Sequence, residues 1–111
     1  MALDVHVVDD PTRQGLTGEW PACQFEEPVH SYIFFDAGVD VYSRYAYLRR
    51  MIDFYADASY ANDECECLVA NSDDLLPHLT ASKVGVEMLT QFRTICVAAR
   101  ATGKSIFLYC D

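Results

Sequence analysis

Residues 83–110 read KVGVEMLTQFRTICVAARATGKSIFLYC, and this stretch decides the fold. Apolar side chains recur at helical spacing from Lys83 to Thr102, and Ser82 stands before them as a candidate N-cap. Gly103 suits the left-handed position that ends a helix. The residues that follow, Ser105 to Cys110, predict a strand. The inward stripe of the helix is expected to comprise Met88, Leu89, Phe92, Ile95, Cys96 and Ala99.

The N-terminal third predicts strands. Apolar and polar residues alternate from Ala2 to Asp9, which is typical of a strand with one buried face. Shorter strands are expected at Trp20 to Phe25 and in the aromatic run from His30 to Asp36, with a loop at Thr12 to Gly18. Because strands open and close the chain, the first and last of them are expected to be neighbours.

The middle of the chain predicts two helices. The first runs from Val41 to Ser59, with Asp40 as its N-cap. The second is shorter, from Asp63 to Asn71 with Asn62 as its cap, although Glu64 to Val69 could instead alternate as an edge strand. Pro77 ends this segment. The inward face of the first helix is expected to carry Val41, Tyr45, Leu48, Ile52 and Tyr55, with Met51 at its edge.

These elements predict an α+β fold, with a small, mostly antiparallel sheet of three or four strands and two or three helices packed on one face. The length of 111 residues indicates a single domain covering 1–111, and an apolar content of 51% is enough for a core. Gly85 lies on the inward side of the last helix, where a missing side chain lets another element approach closely.

The charge of the chain bears on its partners. Seventeen acidic residues outnumber eight Lys and Arg, which gives a formal net charge of −9. From Met51 to Ser82 there are seven acids and no base. A field of this sign repels nucleic acid and anionic membranes and attracts basic proteins, so neither nucleic acid nor membrane is expected as a partner.

No motif of catalysis or metal binding accompanies this charge. Asp4 and His6 share a strand face, and His30 precedes Ser31, so either histidine could form such a contact. Neither pair has the context of a nucleophile elbow, so no catalytic residue is predicted. The segment Asp63 to Cys67 holds two cysteines and three acids, but one residue separates the cysteines and no second pair exists, which favours a solvated helix start over a zinc site. No metal or cofactor is therefore expected.

Arg44 falls inside the apolar stripe of the predicted helix. Its charge must meet an acid or reach water. An ion pair with Asp40 or with an acid of the N-terminal third is favoured. The alternative is a pocket between helix and sheet, lined by aromatic side chains and Arg44, which would indicate a small-molecule binding protein or a minor enzyme.

The cysteines and the N-terminus indicate a cytoplasmic location. Five cysteines are an odd number, and the opening residues lack the positive and apolar segments of a secretory signal. The thiols are therefore expected to be reduced.

The layout of the chain resembles small orphan bacterial proteins that are carried in mobile gene cassettes or beside toxins as immunity proteins. The resemblance lies in the opening Met-Ala-Leu-Asp-Val strand, the aromatic run at His30 to Phe35, the tyrosine-rich helix and the closing Gly-Lys-Ser-Ile-Phe-Leu strand. It implies a cytoplasmic binder, often oligomeric and without intrinsic catalysis.

The leading hypothesis is a non-catalytic acidic protein-binding module, such as an immunity-type inhibitor of a basic toxin. Nine of the fourteen aromatic residues lie between Tyr32 and Tyr60, and exposed aromatic side chains suit interfaces. A homo-oligomer, such as a homodimer formed through this aromatic flank, is the other alternative. The predicted anchors are Tyr42, Tyr47, Phe54 and Trp20, and the predicted acidic patch is Asp53, Asp57, Asp63, Glu64 and Glu66.

Overall fold

The computed structural model describes residues 2–9 and 20–110, so the predicted loop at Thr12 to Gly18 lies outside the described residues. Four strands and four α-helices alternate with 3₁₀ and π turns along this part of the chain. The strands are β1 (Ala2–Val8), β2 (Cys23–Glu26), β3 (Ala58–Tyr60) and β4 (Ser105–Cys110). The helices are α1 (Glu27–Ser31), α2 (Val41–Arg44), α3 (Cys65–Leu75) and α4 (Lys83–Ala101).

The strands form one antiparallel sheet in the order β2-β1-β4-β3. The first and last strands are neighbours at its centre, as predicted, with Val5 opposite Leu108. β2 pairs with the outer edge of β1, where Leu3 lies opposite Phe25. β3 pairs with the outer edge of β4, where Tyr60 lies opposite Ile106. The α+β prediction, with its mostly antiparallel sheet, is confirmed.

The core lies on one face of this sheet. Residues directly opposite each other in an antiparallel pair point to the same side. The strand residues in the hydrophobic core all belong to one such set, whereas Phe107, on the other face of β4, is buried outside it. The Phe92 ring of α4 meets the Phe25 ring of β2 edge to face at 5.5 Å, so the helical layer covers this side. The strand residues in the core are Leu3, Val5, Cys23, Phe25, Ala58, Tyr60, Ile106 and Leu108.

The helix predicted from residue 83 is confirmed as α4. The Ser82 hydroxyl accepts a hydrogen bond from the Gly85 N–H at 3.1 Å, which is the expected N-cap contact. The chain leaves the helix through Gly103, whose φ of +71° is the left-handed value that favours glycine. Of the predicted inward stripe, Met88 and Ile95 are half-buried. The remaining members, Leu89, Phe92, Cys96 and Ala99, are fully buried.

Gly85 is a point of close approach, as its position on α4 predicts. A Cβ built there would lie 2.9 Å from Cδ2 and 3.0 Å from Cε2 of Tyr32. An aromatic ring moves only as a rigid unit, so a side chain at residue 85 would displace Tyr32. The missing side chain therefore lets the segment after α1 rest directly on α4.

The strand predicted from His30 to Asp36 is wrong, because α1 continues there as a π-helix over Tyr32–Asp36. Pro28 occupies the first turn of α1, where a missing N–H costs nothing. His30, Ile33 and Phe34 are all buried. Their i, i+3, i+4 spacing is the helical signal, and the aromatic and β-branched composition of the run concealed it.

The long helix predicted from Val41 to Ser59 is also wrong. Only α2 forms an α-helix, and it is followed by a 3₁₀ turn at Leu48–Met51 and by β3. The predicted Asp40 cap is confirmed by a 3.1 Å hydrogen bond from the Ser43 N–H. The predicted inward face is confirmed only in part. Val41, Tyr45, Leu48 and Met51 are buried, Ile52 is half-buried and Tyr55 is exposed.

Side-chain contacts from one distant residue and one local residue break this helix. The Asn71 side chain of α3 accepts hydrogen bonds from the N–H groups of Tyr47 and Leu48, at 3.1 and 3.3 Å. The Asp53 carboxylate accepts one from the Tyr55 N–H at 2.9 Å, which makes a local turn. Side chains thus take the donors that a continuous helix would use, and the chain is released into β3.

The second predicted helix forms, but Asn62 is not its cap. A 3₁₀ turn at Asn62–Glu64 leads into α3, so the alternative of an edge strand is wrong. The Glu64 carboxylate accepts from the Ala61 N–H at 2.9 Å. The Asn62 side chain instead donates to Ala99 O at 3.1 Å and to Lys104 O at 2.7 Å, at the far end of α4.

α3 ends at Leu75, two residues before Pro77, as the proline predicts, and a 3₁₀ turn at Leu76–His78 follows. Of the helices between residues 20 and 110, none combines the length and the apolarity that crossing a bilayer requires.

Candidate interaction surface

The seven acids between Met51 and Ser82 fall into two groups. Four of the seven acids form ion pairs with arginines that lie outside the stretch from Met51 to Ser82. Folding therefore supplies the bases that this stretch of sequence lacks. These pairs are exposed or partly exposed, where each contributes about 0–1 kcal/mol. The pairs are Glu64–Arg50, Glu66–Arg100 (3.2 Å), Asp73–Arg93 and Asp74–Arg44 (3.5 Å).

The other three acids are Asp53, Asp57 and Asp63, and all of them are exposed. Asp57 accepts a hydrogen bond from the Cys110 N–H at 3.0 Å. Asp57 and Asp63 flank opposite ends of β3, so the predicted acidic patch is divided. One part, Asp53 and Asp57, precedes β3, and the other lies at the start of α3, where two of its three carboxylates are ion-paired.

Each of the predicted tyrosine anchors has an arginine beside its ring. The guanidinium of Arg49 lies 5.4 Å from the centre of the exposed Tyr42 ring. Arg50 lies 5.1 Å from the ring of Tyr47, and a hydrogen bond with Cys67 is the main cause that raises the pKa of the Tyr47 hydroxyl. Arg49 therefore makes the surface at Tyr42 locally cationic, which disfavours a basic partner there, whereas the charge of Arg50 beside Tyr47 is paired with Glu64.

The remaining predicted anchors differ in exposure. Phe54 lies in the core with 6% of its surface exposed, which corrects its prediction as a surface anchor. Helical spacing predicts Phe54 on a flank of the helix from Val41 to Ser59, and because that helix does not form, Phe54 lies inward. Trp20 is 94% exposed, and its ring forms no aromatic contact within residues 20–110.

Arg44 lies at the surface and does not line a described cavity. Its guanidinium pairs with Asp74 of α3, so the prediction of an ion pair is confirmed and its expected partner is corrected. The Tyr45 hydroxyl donates to the same carboxylate at 2.7 Å. Burial is the main cause that raises the pKa of Tyr45 to about 12, and the hydrogen bond to Asp74 is the second. Asp74 thus joins α3 to α2. A cavity of about 360 Å³ lies elsewhere, between α3 and α4.

A second cluster of aromatic rings reaches the surface around α1. Phe35 and Tyr55 are 60% and 63% exposed, and two buried rings connect them. The His30 imidazole lies 6.5 Å from the Phe35 ring and 5.2 Å from the Phe54 ring. Phe54 meets Tyr55 edge to face at 5.4 Å. The two exposed rings therefore rest on a rigid buried support.

Carboxylates flank Tyr55 on two sides. The Tyr55 hydroxyl donates to Glu27 at 3.2 Å, and the negative charge of Glu27 is the main cause that raises the pKa of Tyr55. Asp53 accepts from the Tyr55 N–H. Among the bases that the structure describes, none pairs with Glu27 or Asp53. We call Glu27, Phe35, Asp53 and Tyr55 the aromatic–acidic surface.

His30 anchors this surface from below. Its imidazole Nε2–H donates to Met51 O at 2.7 Å, and its ring stacks on Phe34 at 4.4 Å. Burial lowers the pKa of His30, and the hydrogen bond to Met51 and the charge of Asp53 oppose that effect. The side chain is thus held neutral as a packing element that links the aromatic rings of the cluster.

Sequence reasoning found only Asp53 of the aromatic–acidic surface. The sequence predicts Tyr55 on the buried face of a helix that does not form, and it predicts Phe35 in a strand. For Phe35 a signal was present, because it follows the buried His30, Ile33 and Phe34 pattern by one residue and so turns outward. Tyr55 carries no such signal, since a turn at Asp53 sets its direction. No protein-family model, curated protein or solved structure matches the chain.

Proposed function

We propose that the protein is a non-catalytic binding module for a basic protein partner, and that the aromatic–acidic surface makes the contact. The observation that carries the proposal is an exposed ring, Tyr55, between two carboxylates that have no ion-paired base among residues 2–9 and 20–110. A second exposed ring, Phe35, is connected to it through the buried His30 and Phe54. An immunity-type inhibitor of a basic enzyme is the most concrete form of the proposal.

Electrostatics supports a basic partner over an acidic or neutral one. A formal net charge of −9 attracts cations from a distance, and close charge pairs then fix the orientation of the complex. Glu27 and Asp53 are better placed for this than Glu64 or Glu66, because the latter two are already bound to Arg50 and Arg100.

Anchor chemistry supports the same surface. Tyrosine buries a large rigid area at an interface and keeps a polar tip. The buried support of Phe35 and Tyr55 lowers the entropy that either ring would lose on binding. Tyr42 is equally exposed, but Arg49 beside its ring would repel a cationic partner.

The test is photo-crosslinking in the cells that produce the protein. Benzoylphenylalanine at residue 35, a conservative replacement for Phe35, is expected to capture a protein of basic isoelectric point. The E27Q/D53N background should weaken that capture, because it removes two charges and keeps acceptor oxygens for Tyr55. The control places the same reagent at Val84, which is also exposed on a helix. Capture of the same proteins from both positions, or of an acidic protein, would refute the proposal.

A further inference from the structure

Two ion pairs join α3 to α4 and balance charge locally, unlike the acidic excess of the chain as a whole. After Glu87, α4 carries no acid, and its two bases in that stretch are Arg93 and Arg100. Each is ion-paired with an acid of α3, Arg93 with Asp73 and Arg100 with Glu66. The charges of these pairs therefore cancel within the chain.

The outer face of α3 and α4 is apolar between these two ion pairs. A cavity of about 360 Å³ opens there, lined by Val69 of α3 and by Val97 and Ala101 of α4, with the Glu66–Arg100 pair at its rim. Val97 is 44% exposed, so an apolar side chain stands in water beside an open groove. Burial of that surface against a complementary one would be favourable.

We infer that this face joins two copies of the chain in a two-fold symmetric dimer. Charge selects the occupant. Two copies of a chain with a net charge of −9 repel each other, and the repulsion is least where they meet through a face whose charges are locally balanced. A highly basic partner gains nothing from a surface whose acids are already neutralised.

Self-complementarity gives a second reason. In a two-fold contact both copies use the same patch, and a residue that meets a second residue of the partner is met in return by its own copy of that second residue. The groove must therefore carry both members of any charge pair that crosses it. Glu66 and Arg100 lie at the rim of one groove, 3.2 Å apart. In the dimer, Arg100 of each copy reaches Glu66 of the other, and the outward Val97 side chains pack against each other.

Sedimentation equilibrium at protein concentrations from about 1 μM to about 1 mM tests the dimer. The wild type is expected to reach twice the mass of the chain. V97E should shift dissociation to at least about tenfold higher concentration, because it places a charge in the contact. V84E is the matched control, because Val84 is also an exposed valine on α4 but lies outside the groove. Wild-type protein that stays monomeric, or equal effects of V97E and V84E, would overturn the inference.

Reversing the charges of Arg100 and Glu66 in separate variants tests whether this ion pair forms between two copies or only within one. R100E and E66R each break the internal pair, and each should weaken its own dimer by leaving like charges face to face. A mixture of R100E and E66R should form a heterodimer tighter than either homodimer, because both crossing pairs then join opposite charges. If the mixture associates no better than the separate variants, these residues do not cross the interface and the inference fails.

Discussion

His30 is a neutral imidazole buried beneath an acidic surface, and this makes stability depend on pH. Its pKa is lowered from 6.5 in the folded protein, chiefly by burial. Below pH 6.5 the unfolded chain therefore takes up a proton before the folded chain does. The free energy of unfolding should fall as the pH drops from 6.5 to the folded pKa, by up to about 1.4 kcal/mol per pH unit.

Urea unfolding between about pH 7.5 and 5 measures this slope, above the range in which most carboxylates titrate. H30Q keeps an N–H donor for Met51 O but cannot be protonated, so it should lose the part of the slope that His30 contributes. H78Q, which replaces an exposed histidine, should retain it. A slope in H30Q as steep as that of the wild type would show that His30 does not carry the effect.

At the scale of elements, Asn62 joins the end of α4 to the start of α3. Its side-chain N–H₂ donates to the carbonyls of Ala99 and Lys104, and its oxygen accepts from Arg100 at 2.6 Å. Carbonyls at a helix C-terminus have no partner within the helix, and Ala99 O already accepts from the Lys104 N–H at 2.9 Å as the chain turns at Gly103, so the Asn62 side chain adds a second donor there. N62A should lower the free energy of unfolding by about 1–3 kcal/mol.

Chemical denaturation of N62A and N62D measures the contribution of the Asn62 donors. N62D has nearly the same shape and still accepts from Arg100, but it cannot donate, and its charge faces the negative end of α4. We therefore expect N62D to be no more stable than N62A. An N62D variant as stable as the wild type would show that shape matters here and that the donors do not.

Elements held by local chemistry were predictable from the sequence. The α4 segment has its own cap, its own period and a glycine at its end, and β1 alternates between apolar and polar residues from Leu3 to Val7. The segment from Val41 to Tyr60 could not be read in this way. Its helical spacing is real, but Asn71 and the pairing of β3 with β4 decide its course, and both are far away in sequence.

The candidate surface was less predictable than the fold, for the same reason. Composition identified the excess of acid but not which carboxylates folding would neutralise. In the sequence Glu64 and Glu66 are equivalent to Asp53, yet each of the two glutamates meets an arginine from a distant segment, whereas the hydrogen bond that the structure describes at the Asp53 carboxylate lies within its own turn. The composition of the chain therefore determines the sign of its electrostatic field. The tertiary structure determines which carboxylates are left without an ion pair.

For the whole molecule, the two proposals divide the surface by charge. An apolar, charge-balanced face on α3 and α4 is assigned to a second copy, and an acidic face with exposed rings is assigned to a basic partner. Long-range attraction depends on the total charge, but the orientation of the bound complex depends on where that charge lies. Variants with the same net charge therefore separate the two effects.

The most direct measurement is the association rate with the partner captured from residue 35, followed by stopped flow in low and high salt. E27Q/D53N and D63N/E87Q each remove two negative charges, the first pair from the aromatic–acidic surface and the second from other exposed positions. At low salt, E27Q/D53N should slow association at least about threefold more than D63N/E87Q does, and high salt should shrink the difference. Equal slowing by the two variants, or a rate that does not change with salt, would contradict the assignment of this surface to a basic partner.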